Sequence, residues 1–276
     1  MQGFKRLFTR KTSVIGMIHV DPLPGTPQYT PGSFNRLIDK VKHEANIYSR
    51  STIDAVLIEN MHDIPYIKSS KFGPEVVASM TAVTAEVQKV LKRKIPVGVQ
   101  VLACGGREAL AVAKATNCNF IRNEGFVFSH IGDEGFIDSN AGDLLRYRKS
   151  IDASDVLVFS DIKKKHSSHS ITADVSLLDT AFAAQFFQAD GVILTGKSTG
   201  DEADLEELKM LHQHQNTLKM PILVGSGVTN QNLGSYAGLA NALIIGSHFK
   251  KDGHWANELC EERIREFMQH LNELLK

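Results

Sequence analysis

The chain has 276 residues, of which 42% are hydrophobic and 22% are charged. These fractions are typical of a packed globular protein and exclude an intrinsically disordered chain. The 31 basic side chains balance the 31 acidic ones, so no net charge would attract nucleic acid or an anionic membrane surface. No apolar run approaches the ~20 residues that cross a bilayer, and we expect no integral membrane association.

The number and spacing of the cysteines indicate the cellular compartment. Cys104, Cys118 and Cys260 are widely spaced and form no C-x-x-C pair. This pattern is typical of reduced thiols, so we predict a cytoplasmic protein.

Residues 1–12 are basic, contain no acidic side chain and have two interpretations. In the first they belong to an organelle-import peptide, which would indicate a mitochondrial protein. In the second Phe4, Leu7 and Phe8 lie on a helix that plugs the bottom of a barrel. The shortness of the segment favours the helix.

Short β-branched and apolar runs recur along the chain, and each is followed by a longer segment with helical spacing of its apolar residues. The predicted strands span residues 14–20, 55–60, 97–102, 120–124, 156–162, 191–195, 222–225 and 242–246. The predicted helices span residues 33–50, 74–92, 107–116, 173–188, 202–215 and 256–275. Ser33, Asp174 and Asp201 stand at the expected N-cap positions. We expect Trp255 and the last helix to pack outside the eighth strand.

Alternating strands and helices indicate a parallel sheet, and the strands start about 33 residues apart, the size of one βα unit. We therefore predict an α/β fold, a single (β/α)8 TIM barrel over residues 1–276. A doubly wound open sheet is the alternative. The first strand is not followed by G-x-G-x-x-G, which argues against that alternative.

Two glycine-containing loops follow the seventh and eighth predicted strands. Their central residues are Ser226 and Gly227 in the first loop, and Gly246 and Ser247 in the second. Backbone amides in such loops bind phosphate, and TIM barrels often carry phosphate sites there. We predict a phosphate on these four residues, with Lys197 or Lys250 near it. The alternative is that the glycines only make tight turns.

A group of ionisable residues follows the fifth predicted strand. We predict Asp161, Lys163, Lys165 and His166 as catalytic residues, together with His19 at the end of the first strand. An acid beside amines suits proton transfer, and an extended chain would point Asp161, Lys163 and Lys165 the same way. One lysine could form an imine, although three consecutive lysines are typical of a solvated loop. The alternatives are a charged surface loop and a structural pair between Asp161 and Lys163.

Polar residues end or follow most of the predicted strands, and we expect them to bind substrate. They are Asp21, Glu59, Asn60, Asp63, Gln100, Arg122, Asn123, Thr195 and Lys197. Arg122 either clamps an anionic group or pairs with Glu59 or Glu124 inside the barrel. Oxygen and nitrogen donors in this set could hold a divalent metal ion. The sequence contains no tight metal-binding motif, so it does not identify a cofactor.

The segment at 126–142 is unusually long for a βα loop and contains Phe126, Phe128 and Phe136. Its length predicts a lid over the mouth of the barrel.

Several blocks of the sequence resemble one known family. Residues 15–27 read IGMIHVDPLPGTP, residues 225–229 read GSGVT and residues 246–253 read GSHFKKDG, with Glu59, Asn60 and Asp63 between them. These blocks resemble the BtpA/SgcQ family of TIM-barrel proteins, and the resemblance runs from about residue 4 to the end of the chain. It implies a relative of the ribulose-phosphate-binding barrels, with Lys165 and His166 as the family's Lys-His pair. The first namesake of the family, BtpA, is linked to photosystem I biogenesis, and the second, SgcQ, is linked to sugar-uptake genes.

These observations lead to three hypotheses. The first is an enzyme that acts on a small phosphorylated sugar or ribosyl phosphate compound by acid–base chemistry, as a lyase or isomerase does. The second is a metal-assisted hydrolase or nucleosidase. The third is a non-catalytic assembly factor with a retained ligand pocket. The expected partner is a small phosphorylated metabolite, and the sequence leaves a homo-oligomer open.

Overall fold

The computed structural model describes residues 1–196, 198 and 200–276. The strands in these residues are β1 (Ser13–His19), β2 (Ala55–Glu59), β3 (Val97–Gln100), β4 (Phe120–Asn123), β5 (His130–Gly132), β6 (Gly135–Ile137), β7 (Leu157–Asp161), β8 (Ser167–Ser168), β9 (Gly191–Leu194), β10 (Ile222–Val224) and β11 (Ala242–Ile245). Eight of them are parallel and close into a barrel in the order β1-β11-β10-β9-β7-β4-β3-β2. Each of the eight matches a predicted strand and ends one or two residues earlier. The predicted (β/α)8 barrel is confirmed.

Helices connect the barrel strands. In the described part of the chain they are α1 (Gln2–Leu7), α2 (Phe34–Arg50), α3 (Pro74–Leu91), α4 (Gly106–Thr116), α5 (Ala141–Ser150), α6 (Leu177–Phe186), α7 (Leu205–Gln213), α8 (Leu233–Tyr236) and α9 (Glu261–Leu274). The sequence pattern missed α5, which buries only Ala141 and Leu144, and α8, which is four residues long. None of these helices is both long and apolar enough to span a membrane.

The N-caps of two helices differ from the prediction. Ser176, not Asp174, caps α6. A short 3-10 turn and irregular chain precede the helix, which begins only at Leu177. The Ser176 hydroxyl accepts from the amide of Asp179 at 3.0 Å, and the Asp179 carboxylate accepts from the amide of Ser176 at 3.1 Å. Asp204, not Asp201, caps α7, and its carboxylate accepts from the amides of Glu206 and Glu207. Both helices begin with an N-cap residue of the expected type, but which residue takes that position depends on where each helix begins.

We expect Ser176→Ala to lower the free energy of unfolding by about 1 kcal/mol, because the amide of Asp179 loses its acceptor. Asp174→Ala is the matched control, because Asp174 is exposed and caps nothing. Urea denaturation of both variants measures the difference. An equal loss in the two variants would show that the Ser176 cap contributes nothing of its own.

Every second side chain along the barrel strands points into the barrel. The inward apolar side chains form a buried cluster that includes Ile15, Met17, Leu57, Phe120, Phe159, Ile193, Leu223 and Ile244. The outward side chains of the same strands pack against the helices and belong to the larger surrounding core. This period of two fixes which residues at the strand ends face the barrel mouth.

Helix α1 closes the amino-terminal end of the barrel. Phe4 and Phe8 are buried and stack on each other with ring centroids 4.6 Å apart. Phe4 packs edge-on against Phe159 and Phe8 packs against Phe120, each with centroids 6.0 Å apart. The basic first segment thus contributes its aromatic side chains to the barrel interior.

The segment predicted as a lid is folded. Strands β5 and β6 form an antiparallel hairpin, and β8, in the loop after β7, pairs with β5. Phe126 is fully buried, whereas Phe128 and Phe136 are partly exposed on the hairpin. The hairpin turn, Asp133 and Glu134, borders a cavity at the barrel mouth. The segment therefore lies beside the mouth, as expected for a lid.

Candidate functional site

Five polar side chains meet at the carboxyl ends of the barrel strands. They are His19, Glu59, Gln100, Arg122 and Asp161, and all are buried. Strand register places His19 level with Glu59, and Glu59 level with Gln100. The sequence named all five as site residues, and the barrel brings them together because parallel strands end at the same face.

Arg122 and Asp161 form a bidentate ion pair inside this group. Nε and Nη2 of Arg122 each donate to one carboxylate oxygen of Asp161 at 2.8 Å. The prediction that Arg122 pairs with Glu59 or Glu124 is wrong, because β4 and β7 are neighbours in the barrel and bring Asp161 to it. Both oxygens of Asp161 are engaged by the guanidinium. This geometry favours a role for Asp161 in positioning Arg122 rather than in taking a proton from a substrate.

Lys163 does not share the direction of Asp161. The backbone of Lys163 is left-handed, with φ 45°, so the chain is not extended after β7. The Lys163 ammonium donates to the carbonyl of Thr172 at 3.3 Å, and Lys163 lines neither cavity at the mouth. The predictions that Asp161, Lys163 and Lys165 point the same way, and that Asp161 pairs with Lys163, are therefore wrong.

The next two lysines are enclosed by protein. Lys164 is buried with its ammonium 3.7 Å from Oε1 of Glu124. Lys165 borders the barrel mouth, and burial, followed by the charge of Arg122, lowers its pKa. The expectation of a solvated lysine loop fails for both residues. A lowered pKa increases the fraction of neutral amine, the form that bases and imine-forming nucleophiles require.

Three sizeable cavities border the carboxyl ends of the barrel strands in the described part of the chain. One, of about 870 Å³, is lined by Lys163, Lys165 and Thr195 among others. The other two adjoin each other at the mouth. The first, of about 190 Å³, lies against the loops after β10 and β11 and is called here the loop cavity. The second, of about 340 Å³, lies against the ends of β2, β3 and β4 and the hairpin turn, and is called here the hairpin cavity. Both are lined by Glu59, Met61, Arg122 and Lys165. These four residues therefore stand at the junction of the two cavities.

The loop cavity contains all four residues predicted to bind phosphate. Within the described chain the backbone amides of Gly227 and Ser247 donate to no other backbone group. Gly227 has φ +70°, and a Cβ there would lie 2.3 Å from the carbonyl oxygen of Asp201, so only glycine fits. The Ser226 hydroxyl donates to that same carbonyl at 3.0 Å and thus holds the loop.

The cation beside these loops comes from the last helix. Arg263, on α9, lines the loop cavity and donates through Nε to the carbonyl of His248 at 2.6 Å. Lys250 does not lie there, because it is buried in an ion pair with Glu44 at 2.6 Å. Lys197 lies outside the described residues. Sequence reasoning missed Arg263 because nothing in a helix far from the strand ends marks a residue as close to the mouth.

His19 and Glu59 face each other across the junction, with Nε2 of His19 3.9 Å from Oε2 of Glu59. Nδ1 of His19 lies 3.0 Å from the carbonyl of Trp255, so Nδ1 carries the proton and Nε2 keeps its lone pair. Burial, followed by the charge of Lys250, lowers the pKa of His19 well below its usual range. Burial raises the pKa of Glu59. The pair therefore combines a neutral imidazole with a carboxyl group that holds its proton more tightly than usual.

Besides Thr195, four of the described residues predicted to bind substrate border neither cavity: Asp21, Asn60, Asp63 and Asn123. Asn60 and Asn123 each follow an inward residue by one position and so point away from the barrel interior. Asn60 accepts from the amide of Leu102 at 2.7 Å and donates to Asp63 at 2.8 Å, which ties two loops together. Asp21 pairs with Lys40.

Two further predicted residues lie at the margin of the site. The Thr195 hydroxyl accepts from the backbone amide of Lys165 at 3.2 Å and so holds the loop that carries this lysine. His166 lines the hairpin cavity with its ring 3.8 Å from Asp133 of the hairpin turn. Burial, followed by the charge of Lys165, lowers the pKa of His166.

Trp255 lies at the mouth and not outside the eighth strand. Helix α9 begins only at Glu261, so the chain after β11 crosses the mouth before it turns outward. The Trp255 ring packs against His62 with centroids 4.9 Å apart and lines the hairpin cavity with Tyr66. The predicted position was wrong because the helix was assigned five residues too early.

No group of three or more His, Cys, Asp or Glu side chains suited to hold a metal ion occurs in residues 1–196, 198 and 200–276. A divalent metal ion therefore stays an untested alternative.

The fold is shared with solved structures of very different sequence. The KGPDC of Streptococcus mutans superimposes with a TM-score of 0.59 at 8% identity, over 96% of this chain and 99% of the other. Thiamine phosphate pyrophosphorylase from Pyrococcus furiosus does so with a TM-score of 0.57 at 12% identity, over 96% and 98% of the two chains. These similarities show the TIM-barrel fold.

Sequence comparison identifies relatives over nearly the whole chain. An uncharacterized mitochondrial protein of Caenorhabditis elegans is 46% identical over 98% of this chain and 96% of its own. The photosystem I biogenesis protein BtpA of Synechocystis is 31% identical over 98% of this chain and 91% of its own. The BtpA family matches residues 10–273. The chain therefore belongs to the BtpA family.

Proposed function

We propose that the chain is an enzyme that acts on a small phosphorylated sugar or ribosyl phosphate compound and transfers a proton at carbon, as lyases and isomerases do. The position of Lys165 carries this proposal, because Lys165 borders both the loop cavity and the hairpin cavity. A substrate with its phosphate at the loops would extend its carbon chain past this amine. The TIM-barrel neighbours that act on phosphorylated compounds support the proposal at the level of fold.

In this proposal the phosphate binds the amides of Gly227 and Ser247. Arg263 supplies a positive charge beside them, since it lines the same cavity. The backbone amides orient the phosphate by hydrogen bonds, and the guanidinium offsets its negative charge. This combination suits a phosphate dianion.

The proton is transferred at the junction of the cavities. The neutral amine of Lys165 takes a proton from a carbon next to a carbonyl group, and protonated Glu59 donates to the carbonyl oxygen as negative charge develops on it. Burial favours the forms that this step needs, because it lowers the pKa of Lys165 and raises the pKa of Glu59. His19, with Nε2 toward Glu59, orients that carboxyl group.

Solvent deuterium exchange tests the proposal without knowledge of the full reaction. The protein is incubated in D₂O with pentose phosphates, among them ribose 5-phosphate and ribulose 5-phosphate, and NMR follows the loss of carbon-bound protons. We expect exchange next to the carbonyl group of at least one compound. Borohydride added to the same mixture distinguishes the two roles of Lys165, because only an imine leaves a reduced adduct on the lysine.

We expect Arg263→Gln to weaken binding of a sugar phosphate about tenfold, which corresponds to about 1.4 kcal/mol, because one charge-assisted contact is lost. Arg265→Gln is the matched control on the same helix, since Arg265 is exposed and pairs with Glu262. Calorimetric titration with ribose 5-phosphate measures both. Equal affinity of the two variants would remove Arg263 from the phosphate site.

The other two hypotheses predict different contents of the purified protein. A co-purified phosphorylated metabolite supports the proposal, and a stoichiometric divalent metal ion supports a hydrolase or nucleosidase. An empty protein that binds another protein supports an assembly role, which the name of the Synechocystis relative suggests. Native mass spectrometry with metal analysis separates the three. The cytoplasmic or mitochondrial compartment stays a prediction.

A further inference from the structure

The two cavities differ in the charges of their lining residues. Both cavities are lined by Arg122, and by Lys165 and Glu59, whose neutral forms the proposed reaction uses. Among the described residues the loop cavity adds a second cation, Arg263, and no further carboxylate. The hairpin cavity adds one cation, Lys164, and three carboxylates, Glu124, Asp133 and Glu134. An anionic group is therefore favoured in the loop cavity, and an uncharged or hydrogen-donating group in the hairpin cavity.

Gln100 lines the hairpin cavity, and the oxygen of its side-chain amide is buried and unpaired within the described residues. Its side chain is 2% exposed. A buried amide oxygen without a partner costs about 1–3 kcal/mol, so a partner supplied by a ligand would be favourable. An amide offers a donor and an acceptor side by side, and a heterocycle that carries N–H and C=O or ring nitrogen on one edge matches both.

Aromatic side chains form the walls of the same cavity. Trp255 and Tyr66 both line it. The Trp255 ring is held by His62 at 4.9 Å and His254 at 5.7 Å between centroids, and the Tyr66 hydroxyl donates to the carbonyl of Met61 at 2.6 Å. Rings fixed in this way present flat apolar surfaces, which suit a planar ligand.

We propose that the hairpin cavity receives a planar nitrogen heterocycle that is read by the amide of Gln100, so that the substrate is a ribosyl phosphate that carries such a base. This inference rests on the proposed function, because it takes the phosphate of the same ligand to lie in the loop cavity. The sugar would then span the junction at Lys165 and Glu59. The proposed proton transfer needs its ring-opened form, in which the C1–O bond is broken, C1 is doubly bonded to the base nitrogen, and C2 carries the proton that Lys165 takes. The heterocycle is thus the part of the substrate that determines specificity.

Binding of defined probes tests the base and the phosphate separately. Calorimetry on the unmodified protein compares ribose 5-phosphate with adenosine and uridine 5′-monophosphates and with the free nucleosides. We expect at least one monophosphate to bind tenfold or more tightly than ribose 5-phosphate. If ribose 5-phosphate binds and no monophosphate binds more tightly, the heterocycle proposal is overturned and the proposed function stands. If a nucleoside binds and its phosphate adds nothing, the base site stands and the phosphate site is overturned. If no probe binds, both are overturned.

A substitution of matching size assigns the effect to Gln100. We expect Gln100→Met to lower the affinity for the preferred monophosphate about tenfold. Its affinity for ribose 5-phosphate should stay within about twofold of that of the parent protein. Gln213→Met, on the exposed face of α7, is the control. A variant that loses affinity for both compounds equally would contradict recognition of the base by Gln100.

Discussion

The Asp161→Asn variant is expected to unfold with a free energy about 3–5 kcal/mol below that of the parent. The change leaves the guanidinium of Arg122 buried with one neutral partner in place of a bidentate carboxylate. Glu59 and Glu124 also interact electrostatically with Arg122, so the loss should fall toward the lower end of this range. Differential scanning calorimetry should show a melting temperature lower by roughly 10 °C.

A matched exposed pair provides the control for Asp161. Asp152 is 99% exposed and lies 3.5 Å from Lys114, so Asp152→Asn should change stability by less than about 0.5 kcal/mol. Asp161→Asn should change the rate of solvent deuterium exchange per folded molecule only slightly, although it lowers the free energy of unfolding strongly. A variant that keeps the parent's stability and loses exchange by two or more orders of magnitude would return Asp161 to the role of proton donor or acceptor.

Lys165→Met should slow solvent deuterium exchange by a factor of about 10² to 10⁴, because the variant removes the general base and keeps most of the side-chain volume. Lys163→Met is a closely matched control. Lys163 lies two positions away, its ammonium donates to the carbonyl of Thr172, and it lines neither cavity at the mouth. Exchange by Lys163→Met should therefore stay close to that of the parent.

The pH dependence of exchange provides a second readout for Lys165. Exchange needs the neutral amine of Lys165 and the protonated carboxyl group of Glu59, so its pH profile should be bell-shaped. Burial lowers the pKa of Lys165, which places the limb that Lys165 governs below the usual lysine value of about 10.4. This limb should be absent in Lys165→Met. Equal exchange by the parent and Lys165→Met at all pH values would remove Lys165 from the reaction.

The sequence determined the architecture of this protein. Eight β-branched runs at regular spacing predict parallel strands that are buried on both faces, and their number and spacing favour the closed barrel over the open sheet. The period of two within each run also determined which strand-end residues face the mouth. The sequence placed His19, Glu59, Gln100, Arg122 and Asp161 at strand ends, and all five lie together at the mouth. Asn60 and Asn123, predicted with them, point away because each is one position out of step with the inward residues.

Only the tertiary structure decided how these residues are paired and which charges are available. Arg122 is bound to Asp161 because two strands are adjacent in the barrel, a fact that the local pattern around either residue does not contain. The directions of the lysines after β7 depend on a single left-handed residue, Lys163. Arg263 reaches the site from α9, more than a hundred residues from Arg122 along the chain. Local periodicity specifies the direction of a side chain relative to its own strand, whereas pairing depends on contacts between segments distant in sequence.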